Sequence, residues 1–538
     1  MEQEPRRGAT TVTLRLRRGL YREETLRGGK RFILGDSPDH SEPTVIRIAV
    51  GDDGRLSELE IKRKAHSYFP VYVHRTWRGE VVIADTMGFM HDVVRREGLE
   101  LKTEAQLDHL LFGRSPETGL VKGIEVVDHG EYVRFQRCDG EWKLEERGRW
   151  DRFEQRREGH WRREMAVLSH CLEEAVASIR PSSIMFSGGV DSTLLRTMLD
   201  DDVEMISGRV ELEEFLPEVE QARRAAALFG GEHRLVDVDH GEYVEQLVDL
   251  TVTTGLPCPA MQHVLQTRVA AQAESPVVYG ELGDGMFGLP TVEDAGLQVL
   301  VSNAPCDEAG VASRVFSLAS WRSEDHSFDD DLEAFYGPTA GAHRRRSRRV
   351  ADLLDWLTLW EEGEGSWERF LTSGHVTDYL TAGCIKSVRD FASSQGLVVH
   401  TPLTDRSLID EFHRCDPKTR YRDGGRTKPV LKELLWRRLP AYVVDRPKLA
   451  SGLPRTWYFT EGPLSGVFDR FAPPEPMAQA VGRAIDNPQW ANSWILWPAL
   501  SYSVWYHRWF DSEVVPERGD MVVYRWSEGK SEAVRAAS

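Results

Sequence analysis

A six-residue segment, Ser187-Gly188-Gly189-Val190-Asp191-Ser192, combines residue types that suit phosphate binding. It follows a short apolar run and precedes Thr193–Leu199, so the pattern predicts a strand, a glycine turn and a helix. Adjacent glycines let the backbone approach an anion closely, and the first N–H groups of a helix favour negative charge. The two hydroxyls can donate to phosphate oxygens, whereas the carboxylate requires a bridging Mg²⁺ to face them. The segment therefore predicts a site for pyrophosphate and metal.

A second glycine-rich segment, Gly280-Glu281-Leu282-Gly283-Asp284-Gly285-Met286-Phe287-Gly288, follows the apolar run Pro276–Tyr279. Glycine loops with acidic residues are common, so this segment alone is a weak indication. Carboxylates at the ends of two neighbouring strands can hold Mg²⁺ against a triphosphate. We therefore expect Asp284 to be the metal-binding partner of Asp191.

The composition excludes several classes of protein. A chain of 538 residues is too long for one core, so two or three domains are expected. A net charge of −18 argues against broad nucleic-acid binding, and no apolar run is long enough to span a membrane. The first residues lack the apolar region of a signal peptide. Six cysteines without CxxC spacing indicate reduced cytoplasmic thiols and no zinc site or disulfide framework.

The N-terminal 150 residues are predicted to form a β-rich domain. Alternating patterns in Thr11–Leu16 and Pro70–Arg75 predict strands, and a turn at Arg78-Gly79 leads to a further strand at Glu80–Ala84. The stretch Glu145–Glu158 is densely charged and has no apolar periodicity, so we interpret it as a linker between domains.

Residues 160–515 are predicted to form an α/β domain. A helix with an apolar stripe ends near Pro181, and strands then alternate with helices. Such alternation predicts a doubly wound parallel sheet with helical additions, which binds ligands beyond the carboxyl ends of its strands. The polar segment 516–538 is expected to be a peripheral tail. The predicted strands are Ile184–Phe186, Val203–Gly208, Leu235–Val238 and Pro276–Tyr279.

A basic cluster, His343 to Arg349, stands out in a region of weak pattern. Its simplest interpretation is the solvated start of a helix, and its alternative is a site for an anionic substrate or peptide. The sequence alone does not assign a role to Arg344–Arg349.

The motifs together resemble those of the asparagine synthetase superfamily. The first segment resembles the pyrophosphatase loop of N-type ATP pyrophosphatases, which have a HUP-like fold, and the second resembles the GEGxDExFGG loop of asparagine synthetases. The superfamily includes β-lactam synthetases and lasso-peptide cyclases. Four further stretches resemble the family's segments: Glu220–His233, Gln395–Asp405, Thr427–Lys432 and Asp445–Lys448.

The N-terminal part resembles the family's Ntn-type glutaminase domain more faintly, in Phe69–Ala84 and Leu107–Tyr132. That domain requires an N-terminal cysteine nucleophile, whereas Glu2 follows the first methionine and no thiol precedes Cys138. The resemblance therefore implies a degenerate glutaminase-like domain that does not hydrolyse glutamine.

The resemblance implies an ATP-dependent ligase that forms AMP and pyrophosphate. A substrate carboxylate would attack the α-phosphate, and an amine or ammonia would then displace AMP to form an amide. The residues that the resemblance assigns to ATP are Ser187, Gly188, Gly189, Asp191, Ser192, Ile206, Ser207, Gly208, Gly280 and Gly283. It assigns Mg²⁺ to Asp191 and Asp284, and catalysis to Glu281, Lys428 and Lys448.

The two lysines would have different roles. Lys428 matches the family's pyrophosphate-contacting lysine, and Lys448 matches the lysine that stabilises the amide-forming transition state. The alternative for both is an ordinary surface lysine.

Two substrate-side positions depart from the family pattern. The family's GLExR glutamate is Val398 here and its arginine is His400. The dyad that β-lactam synthetases form with that glutamate is therefore expected to be missing, which argues against ordinary asparagine synthesis and β-lactam closure. His400 is either a base or substrate contact, or a core histidine.

Several functions stay open. The substrate carboxylate belongs to a small molecule or a peptide. Lasso-type macrolactam formation in natural-product biosynthesis fits the two departures from the family pattern at Val398 and His400. It would involve partner proteins for a precursor peptide. An ammonia-dependent synthetase of primary amides is the alternative, followed by a non-catalytic scaffold. Sulfur or nitrogen insertion into RNA is disfavoured by the acidic charge. The sequence also does not determine whether the protein forms a homodimer.

Overall fold

The computed structural model describes residues 11–18, 20–35, 44–53, 55–112, 119–138, 141–151, 160–283, 287, 329–330, 332–334, 338–346, 383–415, 428–445, 453–475, 477–486, 495–511, 521–527 and 530–535. They divide into two compact units. The first comprises the described parts of Met1–Lys102, Glu117–Arg152 and Ser512–Ser538, and the second those of Thr103–Pro116 and Phe153–Asp511.

The strands, in chain order, are β1 (Val12–Arg17), β2 (Tyr21–Leu26), β3 (Gly29–Leu34), β4 (Thr44–Val50), β5 (Leu56–Arg63), β6 (Val71–Arg75), β7 (Val81–Ala84), β8 (Ile124–Val127), β9 (Glu131–Cys138), β10 (Glu141–Arg149), β11 (Ser183–Met185), β12 (Glu204–Arg209), β13 (His233–Asp237), β14 (Val277–Val278), β15 (Val399–His400), β16 (Met521–Ser527) and β17 (Lys530–Arg535).

The helices, in chain order, are α1 (His91–Glu97), α2 (Thr103–Phe112), α3 (Trp161–Ala177), α4 (Val190–Arg196), α5 (Leu216–Ala226), α6 (Tyr243–Thr254), α7 (Met261–Ala271), α8 (Ala340–Arg346), α9 (Gly383–Ser394), α10 (Arg406–Arg414), α11 (Pro429–Arg438), α12 (Arg455–Thr460), α13 (Val467–Arg470), α14 (Met477–Asp486) and α15 (Leu496–Tyr506). Among the described residues, no helix is both long and apolar enough to span a bilayer.

The first unit is a sandwich of two six-stranded sheets, ordered β17-β16-β1-β7-β6-β8 and β10-β9-β5-β4-β3-β2. Alternating apolar residues of both sheets share one core, including Leu14 and Ile83 of the first sheet and Phe32 and Ile46 of the second. The predicted hairpin of β6 and β7 is present, and Gly79 supplies the positive φ of its turn.

The C-terminal segment is part of this sandwich and is not a peripheral tail. Strand β16 pairs antiparallel with β1, and Tyr524 and Trp526 are buried in the shared core. The alternation Val522, Tyr524, Trp526 gives this strand the apolar face that the overall polarity of the segment conceals.

The charged stretch beginning at Glu145 is also not a linker over its first residues, because it forms the second half of β10. This edge strand pairs with β9, and Arg147 forms ion pairs with Glu125 and Glu131. Exposed charges protect an edge strand from pairing with another chain, which explains a strand without apolar periodicity.

The second unit contains a five-stranded parallel sheet in the order β13-β12-β11-β14-β15. The expected α/β class with a parallel sheet is confirmed. The four predicted strands are present, while the fifth, β15, is only two residues long and gives too little pattern to be recognised. Strand order reverses at β11, where β12 lies on one side and β14 on the other. In sheets of this topology, the reversal opens a crevice at the carboxyl ends of the strands.

The start of the basic cluster is buried and ion-paired, so a solvated helix start is the wrong interpretation for it. His343 Nε2 lies 2.7 Å from Asp108 Oδ1, and Arg344 Nε donates to Asp329 Oδ1 at 2.9 Å. Arg345, which is more exposed, also pairs with Asp329. Asp108 lies far away in the chain and Asp329 lies 15 residues before Arg344, so the pattern within the cluster could not reveal these partners. Residues 347–349 lie outside the described residues.

Candidate functional site

Both glycine-rich loops begin at the reversal point of the parallel sheet. The first follows β11 and the second follows β14, and these two strands are hydrogen-bonded neighbours with the same direction. Their carboxyl ends therefore lie side by side, and the loops leave the sheet at the same edge. Sequence spacing of the motifs alone does not specify this adjacency.

The first loop turns at Gly188, whose φ of +67° lies in the left-handed region. A side chain at this position would also overlap the backbone of α5, since a Cβ atom would come within 2.7 Å of the Gln221 carbonyl oxygen. Both observations explain the glycine. The hydroxyl groups of Ser187 and Ser192 are 3.2 Å apart, and the Gly189 N–H donates to the Ser187 hydroxyl.

The second loop packs closely against the first. A Cβ atom at Gly280 would lie 3.4 Å from the Ser192 nitrogen, and one at Gly283 would overlap the Asp191 carboxylate. Between these glycines, the buried Leu282 has a φ of +88°, which is rare for a residue with a side chain. A strained backbone of this kind costs on the order of 1–3 kcal/mol and is concentrated at functional sites.

Helix α11 and the residue before it place two lysines beside the glycine loops. Lys428, the residue before the helix, is 7% exposed and donates from Nζ to Asp191 Oδ2 at 2.5 Å. Lys432, one turn later, is 8% exposed, and its Nζ lies 3.5 Å from Asp445 Oδ1. A buried ammonium group requires an anionic partner, so α11 presents positive charge to the loops in a poorly solvated place.

These elements enclose a cavity of about 350 Å³. Its apolar wall includes Ile206, Leu265 and Val269, and its polar wall includes the two loops and the two lysines. The predicted site residues that line it are Ser187, Gly189, Asp191, Ser192, Ile206, Ser207, Gly208, Gly280, Glu281 and Lys428.

The Ser207 hydroxyl is held by the sheet. It donates to the backbone carbonyl of Phe186 and lies 2.9 Å from His233 Nε2. Since its one proton goes to Phe186, we infer that His233 Nε2 carries the proton that Ser207 accepts. Burial, and then the nearby Arg223, lowers the pKa of His233, which favours this neutral imidazole.

The sequence motifs did not indicate that a tyrosine and a glutamate form a pair in the cavity. Tyr279, at the end of β14, places its hydroxyl 2.9 Å from Glu281 Oε2 and 3.1 Å from Gln266 Oε1. Tyr279 is 6% exposed, and all three side chains line the cavity. The i, i+2 spacing of Tyr279 and Glu281 on an extended chain was the available signal. Gln266 comes from α7, which we did not predict.

Four predicted site residues do not line the cavity. Gly188 and Gly283 shape the loops behind it, as their close contacts show. Val398 and His400 lie beside β14, where the Tyr279 N–H donates to the His400 carbonyl at 2.8 Å. Asp284 and Lys448 lie outside the described residues, so their predicted roles are not placed by the structure.

The donor chemistry of the site fits Mg²⁺. The Asp191 carboxylate faces the cavity, and the second loop reaches it at Gly283, directly before Asp284 in the sequence. Magnesium in nucleotide sites is commonly held by one or two carboxylates together with substrate phosphates. Within the described parts of the chain, no group of three or more His, Cys, Asp or Glu residues could hold a metal by itself.

Comparison with known proteins adds one positive finding. A family model described as asparagine synthase matches residues 165–488, more than half of the chain. The matched span contains both loops, α7, α11 and the lining of the cavity. A search of curated proteins found no match.

Proposed function

We propose a function from one premise: the chain belongs to the asparagine synthase family, which indicates an ATP-dependent ligase that forms C–N bonds. The more specific proposal is an amide ligase that cleaves ATP to AMP and pyrophosphate. The observation that carries it is the meeting of two glycine loops, Asp191 and two buried lysines around one cavity.

The cavity suits a nucleoside triphosphate. The polyphosphate is proposed to lie against the Ser187–Ser192 loop, near Lys428, while the base and ribose contact Ile206, Ser207 and Gly208. Backbone N–H groups of the turn and of α4, together with an ammonium group, favour an anion there. Asp191 and Asp284 would hold Mg²⁺, which neutralises phosphate charge when bound.

The reaction is proposed to have two steps. An oxygen of the substrate carboxylate attacks the α-phosphorus, the bond to the β-phosphate oxygen breaks, and pyrophosphate leaves. The nitrogen of an amine or ammonia then attacks the acyl carbon, the bond to AMP breaks, and the nitrogen loses a proton. Glu281, held by Tyr279, is the proposed acceptor of that proton. Lys448 keeps its predicted role in stabilising the second transition state.

The substrate is proposed to be neither aspartate nor a β-lactam precursor. Val398 provides no carboxylate, and neither it nor His400 lines the cavity. Formation of a macrolactam within a peptide, as part of natural-product biosynthesis, is the more specific proposal. Formation of a primary amide with ammonia as the nucleophile is the result that would replace the macrolactam proposal.

An exchange experiment tests the first step without knowledge of the amine. Labelled pyrophosphate is incubated with ATP, Mg²⁺ and a panel of amino acids, small carboxylic acids and peptides with acidic side chains. We expect at least one acid to support label transfer into ATP, and Asp191→Asn to reduce that rate by about a hundredfold or more. Asp469→Asn, an exposed change on α13, is the matched control and should keep the full rate. Equal exchange in Asp191→Asn would remove this loop from the site.

A further inference from the structure

A buried hydrogen bond fixes the first loop from outside the sheet. The Tyr442 hydroxyl donates to the Gly188 carbonyl at 2.8 Å, and Tyr442, which is 4% exposed, also lines the cavity. Tyr442 lies in the segment that follows α11, far from the loop in sequence. No motif in the sequence indicated a contact between these two segments.

The bond determines the orientation of one peptide group. The Gly188 carbonyl and the Gly189 N–H belong to the same planar peptide, so they point in opposite directions. With the carbonyl bonded to Tyr442, the N–H donates to the Ser187 hydroxyl at 3.2 Å. Five residues of the segment 187–192 line the cavity, and Gly188 is the one that does not.

The alternative orientation would oppose anion binding. Gly188 has no Cβ atom, so a rotation of the peptide is sterically cheap for this residue. Such a rotation would turn a carbonyl dipole toward the place where phosphate oxygens are proposed to bind, and a carbonyl repels an anion. A donor that holds the carbonyl is therefore of value at this position.

We propose that Tyr442 is a positioning residue that holds the Gly188 carbonyl away from the cavity and so preorganises the Ser187–Ser192 loop for polyphosphate. This inference rests on the proposed function for its ligand, but the hydrogen bond acts on the loop before any ligand binds. Tyr442 also ties the loop to the chain that supplies Lys428 and Lys432 before it and Asp445 after it. This bond thereby fixes the position of the Ser187–Ser192 loop relative to the two lysines.

Two measurements on Tyr442→Phe test the proposal. Hydrogen exchange of the peptide that covers residues 187–192 is measured without nucleotide, and ATP affinity is measured by calorimetry with Mg²⁺. We expect faster exchange in this peptide and an affinity for ATP reduced about tenfold. Because Tyr442 itself lines the cavity, exchange without nucleotide is the readout that a direct contact between Tyr442 and ATP would not change. Tyr458→Phe is the control for loss of a buried tyrosine hydroxyl, because this hydroxyl bonds His240 at 3.1 Å and lies away from the cavity lining. It should leave both readouts as in the wild type.

The outcomes separate this inference from the proposed function. Unchanged exchange of the loop in Tyr442→Phe, in a protein that still unfolds cooperatively, would overturn the role of Tyr442. If Tyr442→Phe accelerates exchange of the loop but the wild type does not bind ATP, the role of Tyr442 in holding the loop is supported and the proposed function is overturned. Accelerated exchange in Tyr458→Phe as well would overturn the specific role, because the effect would then be general loosening.

Discussion

At the scale of single residues, the carboxylates of the cavity have hydrogen-bond partners before any ligand enters. Lys428 pairs with Asp191, and Glu281 accepts a hydrogen bond from Tyr279. Such preorganised groups stabilise developing charge without reorganising at the moment of reaction. The proposed function therefore assigns two tasks to different side chains, one to Lys428 and Asp191 at the phosphates and one to Tyr279 and Glu281 at the reacting nitrogen.

The change Tyr279→Phe tests that separation. Removal of the hydroxyl takes one hydrogen bond away from Glu281, and a hydrogen bond to a charged group contributes about 1.5–3 kcal/mol. We expect amide formation to fall about tenfold or more while pyrophosphate exchange stays near the wild-type rate. The two rates are compared at saturating amine, using an acid that the exchange screen identifies. Equal losses in both steps would place Tyr279 with the nucleotide.

The motifs named many of the residues that line the cavity. The residues that the motifs did not name were missed for a physical reason. Ser187 and Asp191, which line the cavity, could be named in advance because the phosphate chemistry proposed for them would constrain a short contiguous segment. Tyr279, Gln266 and Tyr442 act through contacts between segments distant in sequence or through orientation, and neither leaves a local pattern. Val398 and His400 were named from a motif, and the structure places them beside the cavity wall.

At the scale of elements, the site depends on two loops that leave adjacent parallel strands. The order of the sheet brings β11 and β14 together, although about ninety residues separate them in the sequence. The strands themselves could be predicted from short apolar runs bounded by turn residues. Helices α6 and α7 could not be recognised by the same reasoning, because their burial on several sides weakens the periodic pattern. Strand β15 is too short, at two residues, to give a pattern.

The contact between the loops is tested by Gly283→Ala. The added methyl group would overlap the Asp191 carboxylate, so one loop has to move. We expect loss of most pyrophosphate exchange with a small change in melting temperature. Gly482→Ala is the control, since its Cβ meets nothing within 4 Å and alanine favours a helix by about 1 kcal/mol. Normal exchange by Gly283→Ala would show that the loops do not need this close approach.

At the scale of the whole molecule, the chain builds two units that differ in architecture. The sandwich takes strands from both ends of the sequence, since β16 pairs with β1. Alternating patterns predicted a β-rich N-terminal region, but a strand contributed by residues 521–527 depends on pairing across the whole chain. Sequence patterns near each strand carry no information about such distant partners.

The sandwich should be sensitive to acid because of His129. This side chain is fully buried, its Nε2 lies 2.8 Å from Arg63 Nη2, and its Nδ1 lies 3.1 Å from the Ala65 carbonyl. Burial, and then the charge of Arg63, lowers the pKa of His129 well below its usual value. The unfolded chain therefore takes up a proton near pH 6.5 that the folded unit excludes, and stability falls as the pH drops below that value.

Thermal unfolding measured from pH 7.5 to pH 5 checks this expectation. The wild type should lose stability with a slope of up to about 1.4 kcal/mol per pH unit from this group. In His129→Gln, which can still accept from Arg63, the slope should be smaller. His170→Gln, an exposed change on α3, should keep the wild-type slope. An unchanged slope in His129→Gln would assign the acid sensitivity to other groups.

The position of Cys138 also bears on the nitrogen source. Cys138, at the end of β9, is the one cysteine within residues 1–150, and a strand end is not a chain terminus that could act as an N-terminal nucleophile. We expect purified protein to release no glutamate from glutamine, with or without ATP. Amide formation should require a free amine or ammonia. Glutamate production that is abolished by Cys138→Ser would contradict this expectation.

The nucleotide product of turnover tests the central claim most directly. Protein, ATP, Mg²⁺, an acid from the exchange screen and an amine are followed by phosphorus NMR. We predict AMP and pyrophosphate in equal amounts, in step with the amide. Formation of ADP and inorganic phosphate instead would contradict attack on the α-phosphorus and with it the proposed use of both loops.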